Sequence, residues 1–172
     1  MNADELRALQ APLKQRYREK PETALIPARA EGTLEIDGVA CNVKVWKGST
    51  SAGLHPAGGG SGALACSADM LLEALVGCAG VTLAAVATAM AIPIRGGKVI
   101  AEGTWDARGT LGVDRSAPVG ITGVALRFEI DSDAPAEKIA KMVEMAERYC
   151  VIAQTLQHPP KLTVTHSVTK SG

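Results

Sequence analysis

Aromatic side chains are nearly missing: two Trp, two Tyr and one Phe among 172 residues. A core without rings must be filled by aliphatic side chains and methionine, and any pocket inside it is expected to be aliphatic. Net charge is missing too, eighteen Lys and Arg standing against eighteen Asp and Glu with no block of one sign. No summed field is available to hold a polyanion, so nucleic acid is not expected as a partner. The four cysteines, Cys41, Cys66, Cys78 and Cys150, form no CxxC pair and no compact zinc spacing. Cys66, Cys78, Cys150 and His55 have the residue types of a mixed metal site, yet no close ligand pair supports one, and neither metal nor cofactor is expected. The run Gly58-Gly59-Gly60-Ser61-Gly62 lacks the GK[ST] of a phosphate loop and reads as flexible linker. The first twenty residues carry charges throughout and contain no apolar h-region, so the expected setting is the reducing cytoplasm.

What is present is enough for one sizeable core and short for two independent domains. Asp4 to Lys20 predicts an amphipathic helix on Leu6, Leu9, Leu13 and Tyr17, closed by Pro21. With its linker it occupies residues 1–30, an addition packed on a main domain of residues 31–172. Thr33 to Trp46 alternates around Asp37-Gly38, which predicts a hairpin. Gly48 to Ala65 reads as a long loop.

Ser67 is the expected N-cap of a helix carrying Asp69 in its first turn and almost no other charge to Ala91. Ala74 to Pro93 is long enough to cross a bilayer, but its alanine-rich composition and flanking strand patterns predict a fully enclosed core helix, with no membrane as partner. Gly77, Gly80, Ala84, Ala87 and Ala91 leave one stripe of it nearly bare, where a second helix is expected to cross. Gly97 to Ala107 and Ile121 to Asp131 predict a hairpin of longer strands, and Pro135 to Tyr149 a helix capped by Asp133. Cys150 to Leu156 continues or restarts that helix, Pro159-Pro160 end it, and Leu162 to Val168 alternates as a last strand. The order predicts an α+β domain of antiparallel sheets against a central helix. One small sheet cannot cover that helix, and a dimer sharing its core would.

Cys78 is flanked by Gly77 and Gly80, which leave room beside its sulfur. Cys150 stands at a helix start or kink, where backbone N–H groups favour a thiolate, with Arg148 two residues away. A thiolate oxidised to sulfenic acid needs a second thiol close by to condense with before it is over-oxidised. These two could meet only through tertiary contact. His55, His158 and His166 read as solvated, and Cys41 and Cys66 as structural.

The stretch from Ser67 to Cys78 (SADMLLEALVGC), the stretch from Ala146 to Ala153 (AERYCVIA) and the closing Val164-Thr165-His166-Ser167-Val168 together resemble the OsmC/Ohr family of hydroperoxide reductases, over about Glu31 to Val168. The resemblance implies an OsmC-like fold, antiparallel sheets wrapped around central helices in an intertwined homodimer. It implies that Cys78 attacks an organic hydroperoxide and that Cys150 resolves the sulfenic acid as a disulfide, which an external dithiol then reduces. Members of the Ohr type hold the reactive thiolate with a glutamate and an arginine. Here the nearest acid is Asp69, nine residues before Cys78 and on the opposite helix face, and Arg29 is the only arginine near the first strand. Arg29, Asp69 and His55 are the supporting candidates. Val151 replaces the proline that commonly follows the second cysteine, which places the chain with the looser OsmC-like branch. The competing functions are a non-catalytic protein of this fold that binds a small apolar ligand, and a redox sensor.

Overall fold

The computed structural model describes residues 1–168; residues 169–172, the end of the expected main domain, lie outside the described residues. Helix α1, Ala3–Glu19, begins with a capping box in which the Asn2 side chain accepts the Glu5 N–H and the Glu5 carboxylate accepts the Asn2 N–H, both at 2.9 Å. None of its side chains is buried. After a 3₁₀ turn at Pro21–Ala24, strands β1 (Glu31–Glu35) and β2 (Ala40–Lys44) form the expected antiparallel hairpin. Four residues connect them where two were expected, and the left-handed position is Val39 at φ 47°, because the Ile36 carbonyl accepts the Val39 N–H at 3.2 Å.

The stretch read as a long loop holds two more strands. Ser49–Gly53 (β3) pairs antiparallel with β2, and Ala65–Cys66 (β4) pairs parallel with β3. Ser-Thr-Ser-Ala-Gly has no apolar alternation, so only the ladder to β2 makes it a strand. The glycine run is more than a linker, because Gly60 lies so close to Leu54 that a Cβ would fall 1.7 Å from its carbonyl oxygen.

Helix α2, Ser67–Ala89, follows β4 directly. Its N-cap is Cys66, Ser67 being the first helical residue, and no side chain caps it. β5 (Gly96–Trp105) and β6 (Ile121–Asp131) form the second antiparallel pair, their connection carrying the short helix α3 (Ala107–Thr110). At its open end Arg95 is ion-paired to Asp131 and Asp133. Asp133 is therefore not the cap of α4 (Ala136–Tyr149), whose N-cap is Pro135 without a side-chain bond. α5 (Val151–Gln157) restarts after Cys150 and ends before Pro159.

The core is α2 laid between the β5–β6 pair and α4–α5. Leu83, Val86 and Ala87 of α2 meet Met142 and Ala146, while Leu75 and Ala79 meet Cys150 and Ala153 over Val99, Ala101, Leu126 and Phe128. A two-stranded ribbon needs such a packed face to persist. α2 is long and apolar enough to cross a membrane, and here it carries the core. It is enclosed on one side only, contrary to the full enclosure expected: Val81 is 73% exposed, and a Cβ added at Gly77 would meet nothing within 4 Å. Along that stripe lies a cavity of about 680 Å³ bounded by Met1, Asn2 and the first residue of α1, Ala3, and by Gly80, Ala84 and Ala87. The start of α1 thus approaches where a crossing helix was expected.

Every residue of β1 is exposed. Leu162 to Val168 is not a strand: no ladder forms along it, and Leu162 and Val164 are 85% and 81% exposed. Alternation supplies the side-chain pattern of a strand, but a strand also needs a neighbouring edge, and this chain sets none beside it. Met142, with no exposed surface, tests the core. Met142→Ala is expected to lower stability by about 2–5 kcal/mol, read from the urea midpoint at unchanged slope.

Candidate active site

Cys78 lies in the middle of α2, half-buried, on the face turned toward the junction of α4 and α5. Cys150 is that junction, the last cap of α4 and the first of α5, with an extended backbone at φ −76° and ψ 109° and no exposed surface. Its thiol caps α5 by accepting the Ala153 N–H at 3.4 Å. The bend is braced from outside: the Gln154 amide donates to the Glu147 carbonyl at 3.2 Å, and the Gln157 amide to the Glu147 carboxylate at 2.7 Å.

The two thiols pack in one cluster, each close enough to shift the titration of the other, and both are free. Burial works to raise the Cys78 thiol, but the Ile152 N–H, the Cys150 thiol, the Val151 N–H and the Thr82 hydroxyl outweigh it and bring Cys78 below its ordinary value. Cys150 moves the opposite way. Burial pushes it up, the Ala153 N–H opposes this, and the neighbouring Cys78 adds to the rise. Of the two thiols, Cys78 is thus the one that gives up its proton more readily. The thiolate was expected to be favoured at Cys150. The helix-start amides of Ala153 and Ile152 do act on Cys150 but are outweighed by burial, while those of Ile152 and Val151 favour the Cys78 thiolate, and the Arg148 guanidinium rests over the Tyr149 ring, 5.7 Å from its centroid.

The supporting candidates fall elsewhere. Arg29 is paired with Glu31 at 2.8 Å in the approach to β1. Asp69 is exposed in the first turn of α2, where a carboxylate complements the helix dipole. His55 is half-buried rather than solvated. Its Nδ1 accepts the Ala57 N–H at 3.0 Å and its ring stands edge-on to Trp105, centroids 5.3 Å apart, in a cavity of about 380 Å³ shared with Cys66 and Leu71. None of the three is a hydrogen-bond partner of Cys78. Among the described residues no group of three or more His, Cys, Asp or Glu is placed to hold a metal.

Sequence reasoning missed Thr82 and the Val151 and Ile152 amides. Thr82 was findable, since a residue four positions after Cys78 shares its helix face. The amides were not, because they reach Cys78 only through the packing of α5 on α2. Leu75, Leu126, Phe128, Ala153 and Leu156 border an apolar cavity of about 300 Å³ that also includes Glu147 and Gln157; neither thiol is in its wall.

The opposed shifts of the two thiols set the order of their reactions. As pH falls from alkaline values, Cys150 is expected to lose reactivity toward iodoacetamide first and Cys78 last, because the thiolate is the nucleophile and Cys78 keeps its anion to lower pH. Peptide mapping after short pulses across the pH range reads both midpoints; a Cys150 midpoint below that of Cys78 would invert the assignment.

Several solved structures share this fold. An OsmC-like protein from Mycoplasma pneumoniae superposes with a TM-score of 0.65 at 17% identity, covering 78% of this chain and 89% of its own. Organic hydroperoxide resistance proteins from Elizabethkingia anophelis and Legionella pneumophila give TM-scores of 0.63 and 0.61, both at 17% identity, covering 78% of this chain and 91% of theirs. At such identity they establish the fold. No curated protein matches the chain in sequence. The sequence model of the family described as OsmC-like protein matches residues 59–165, a span that contains α2, both cysteines and the whole β5–β6 pair. The chain belongs to the OsmC-like protein family.

Proposed function

We propose that the protein is a thiol-dependent peroxidase that reduces organic hydroperoxides, with Cys78 as the attacking thiolate and Cys150 as the resolving thiol. The observation that carries this reading is the pair of thiols packed in one cluster, in which Cys78 is lowered and Cys150 raised. The Cys78 thiolate attacks the distal peroxide oxygen. The O–O bond breaks, the alkoxide leaves and takes a proton to become the alcohol, and Cys78 becomes a sulfenic acid. Cys150 then loses its proton, its sulfur displaces hydroxide from the sulfenic acid, and water and a Cys78–Cys150 disulfide result. An external dithiol restores both thiols by exchange, so the cycle needs neither metal nor cofactor. The apolar side chains packed around the pair, Leu75, Val99, Leu126 and Phe128 among them, favour an alkyl substituent on the peroxide, since burial adds binding that hydrogen peroxide cannot match. The reducing cytoplasm suits a pair that must be returned to thiols.

The working form is a homodimer. One chain leaves Gly77, Val81 and Ala84 of α2, the exposed β1 hairpin with Leu34 and Ile36, and the unpaired segment of Leu162 and Val164 all facing outward. Apolar surface on that scale is what association covers. Light scattering on the eluted protein should give twice the 17.8 kDa chain mass; a monomer would remove the dimer from the reading.

One equivalent of an alkyl hydroperoxide should take two hydrogens from the intact mass, mapped to a Cys78–Cys150 bond. Cys78→Ser should lose all turnover, and Cys150→Ser should stop at a sulfenic acid that excess peroxide over-oxidises. Absence of reaction, with small apolar ligands still bound by Cys78→Ser, would mark a binding protein. A disulfide that no dithiol reduces quickly would mark a sensor.

A further inference from the structure

The cavity of about 380 Å³ beside His55 opens where the β3–β4 loop and the start of α2 meet the end of β5 and the approach to β6. Pockets for small molecules span roughly 300–1,000 Å³, so this one has room for a single compact molecule. Leu54, Leu71, Trp105, Val119 and Ile121 give it an apolar wall, and no Lys, Arg, Asp or Glu borders it. It shares no residue with the thiol cluster. Leu71 stands about 10 Å before Cys78 along the axis of α2.

His55 is fixed in this wall by its own loop. Its carbonyl accepts the Gly58 and Gly60 N–H at 2.8 and 3.1 Å, its Nδ1 accepts the Ala57 N–H at 3.0 Å, and its ring stands edge-on to Trp105. A ring nitrogen that accepts a hydrogen bond carries no proton, so this imidazole is neutral and its N–H is at Nε2. Capping the 3₁₀ turn Pro56–Gly58 explains the use of Nδ1 alone. An Asn or Asp would cap that turn as well, without a ring to pack on Trp105.

We propose that this cavity is a second binding site, separate from the thiols, for an uncharged and mostly apolar carbonyl compound such as an alicyclic ketone, with its body against Trp105, Leu71 and Ile121 and its oxygen accepting the His55 Nε2–H. The neutral donor and the uncharged wall select the ligand. An anion would give up its hydration without meeting a countercharge, and a cation would meet neither a carboxylate nor a ring nitrogen free to accept. A pure hydrocarbon would take the donor out of water and leave it unpaired. A metal ion would find two ligands of suitable type in this wall, His55 and Cys66, and among the described residues no third His, Cys, Asp or Glu joins them. The site stands whether or not the thiols turn over a peroxide.

Trp46 is 97% exposed, so Trp46→Phe leaves Trp105 as the sole indole at little cost to the fold. In that background cyclohexyl methyl ketone is expected to shift the Trp105 emission saturably. It should bind about fivefold to tenfold more tightly than ethylcyclohexane, which lacks the acceptor, or cyclohexanecarboxylate, which carries a charge; that factor is what one hydrogen bond supplies. His55→Asn keeps an acceptor for the Ala57 N–H and removes the Nε2 donor, and the ketone should then bind no better than ethylcyclohexane. Leu71→Gln, at a side chain 40% exposed, should weaken the ketone and the hydrocarbon alike and serves as the second variant should His55→Asn fold poorly. Absence of a saturable shift overturns the site. So does a carboxylate bound as tightly as the ketone, which would point to the amides at the start of α2 as the recognising groups, and so does ketone binding undiminished in a folded His55→Asn or Leu71→Gln protein.

Discussion

The break in the helix at Cys150 is the constraint on which the rest depends. Met142, Ala146, Cys150 and Ala153, spaced by four, four and three, are all buried against α2. Three of them are small, as is Ala79 opposite, so the backbones of the two helical segments approach closely. The extended backbone at Cys150 turns the chain enough for α5 to lie along α2. It also frees amide groups that an uninterrupted helix would spend on its own carbonyls. One backbone turn therefore does two jobs: it lets the core close, and it aims the Val151 and Ile152 amides at Cys78. The departure from proline at position 151 fits this geometry, since a proline there would have no N–H to give.

The site differs electrostatically from the one its family resemblance implies. Arg29 is held by Glu31 and Asp69 serves the start of α2, and among the described residues no Lys, Arg, Asp or Glu side chain figures in the shift of either thiol. The thiolate is favoured by dipoles alone, in a partly buried setting where hydrogen bonds to an anion are stronger than in water. The asymmetry of the pair follows from the same donors. The Val151 and Ile152 amides outweigh burial at Cys78 while burial dominates at Cys150, so Cys78 is the more readily ionised of the two.

The fold is complete around the thiols and incomplete elsewhere. α2 has one face buried by α4, α5 and the β5–β6 pair and one face bare, while the β1–β2–β3 hairpins reach the body only through β4. A core helix this apolar with an open stripe of glycine and alanine is what links the chemistry of one chain to its assembly: the helix that carries Cys78 is the helix that a second copy would have to cover.

Local pattern determined most elements. The periodicity of Leu6, Leu9, Leu13 and Tyr17 placed α1, the uncharged run after Asp69 placed α2, and alternation from Val124 to Ile130 placed β6, because these signals depend only on neighbours in the chain. The two cysteines and their family motif were equally legible. Tertiary structure decided what depends on a partner. Ser49–Gly53 became a strand because β2 lies beside it, whereas Leu162–Val168 did not because no edge does. Asp133 went to Arg95 instead of a helix cap, and His55 went to Trp105 instead of solvent. The contact of Cys78 with Cys150, and which of them holds the anion, were likewise set by packing, since hydrogen bonds across 72 residues depend on where α5 lands on α2 and on nothing a local window contains.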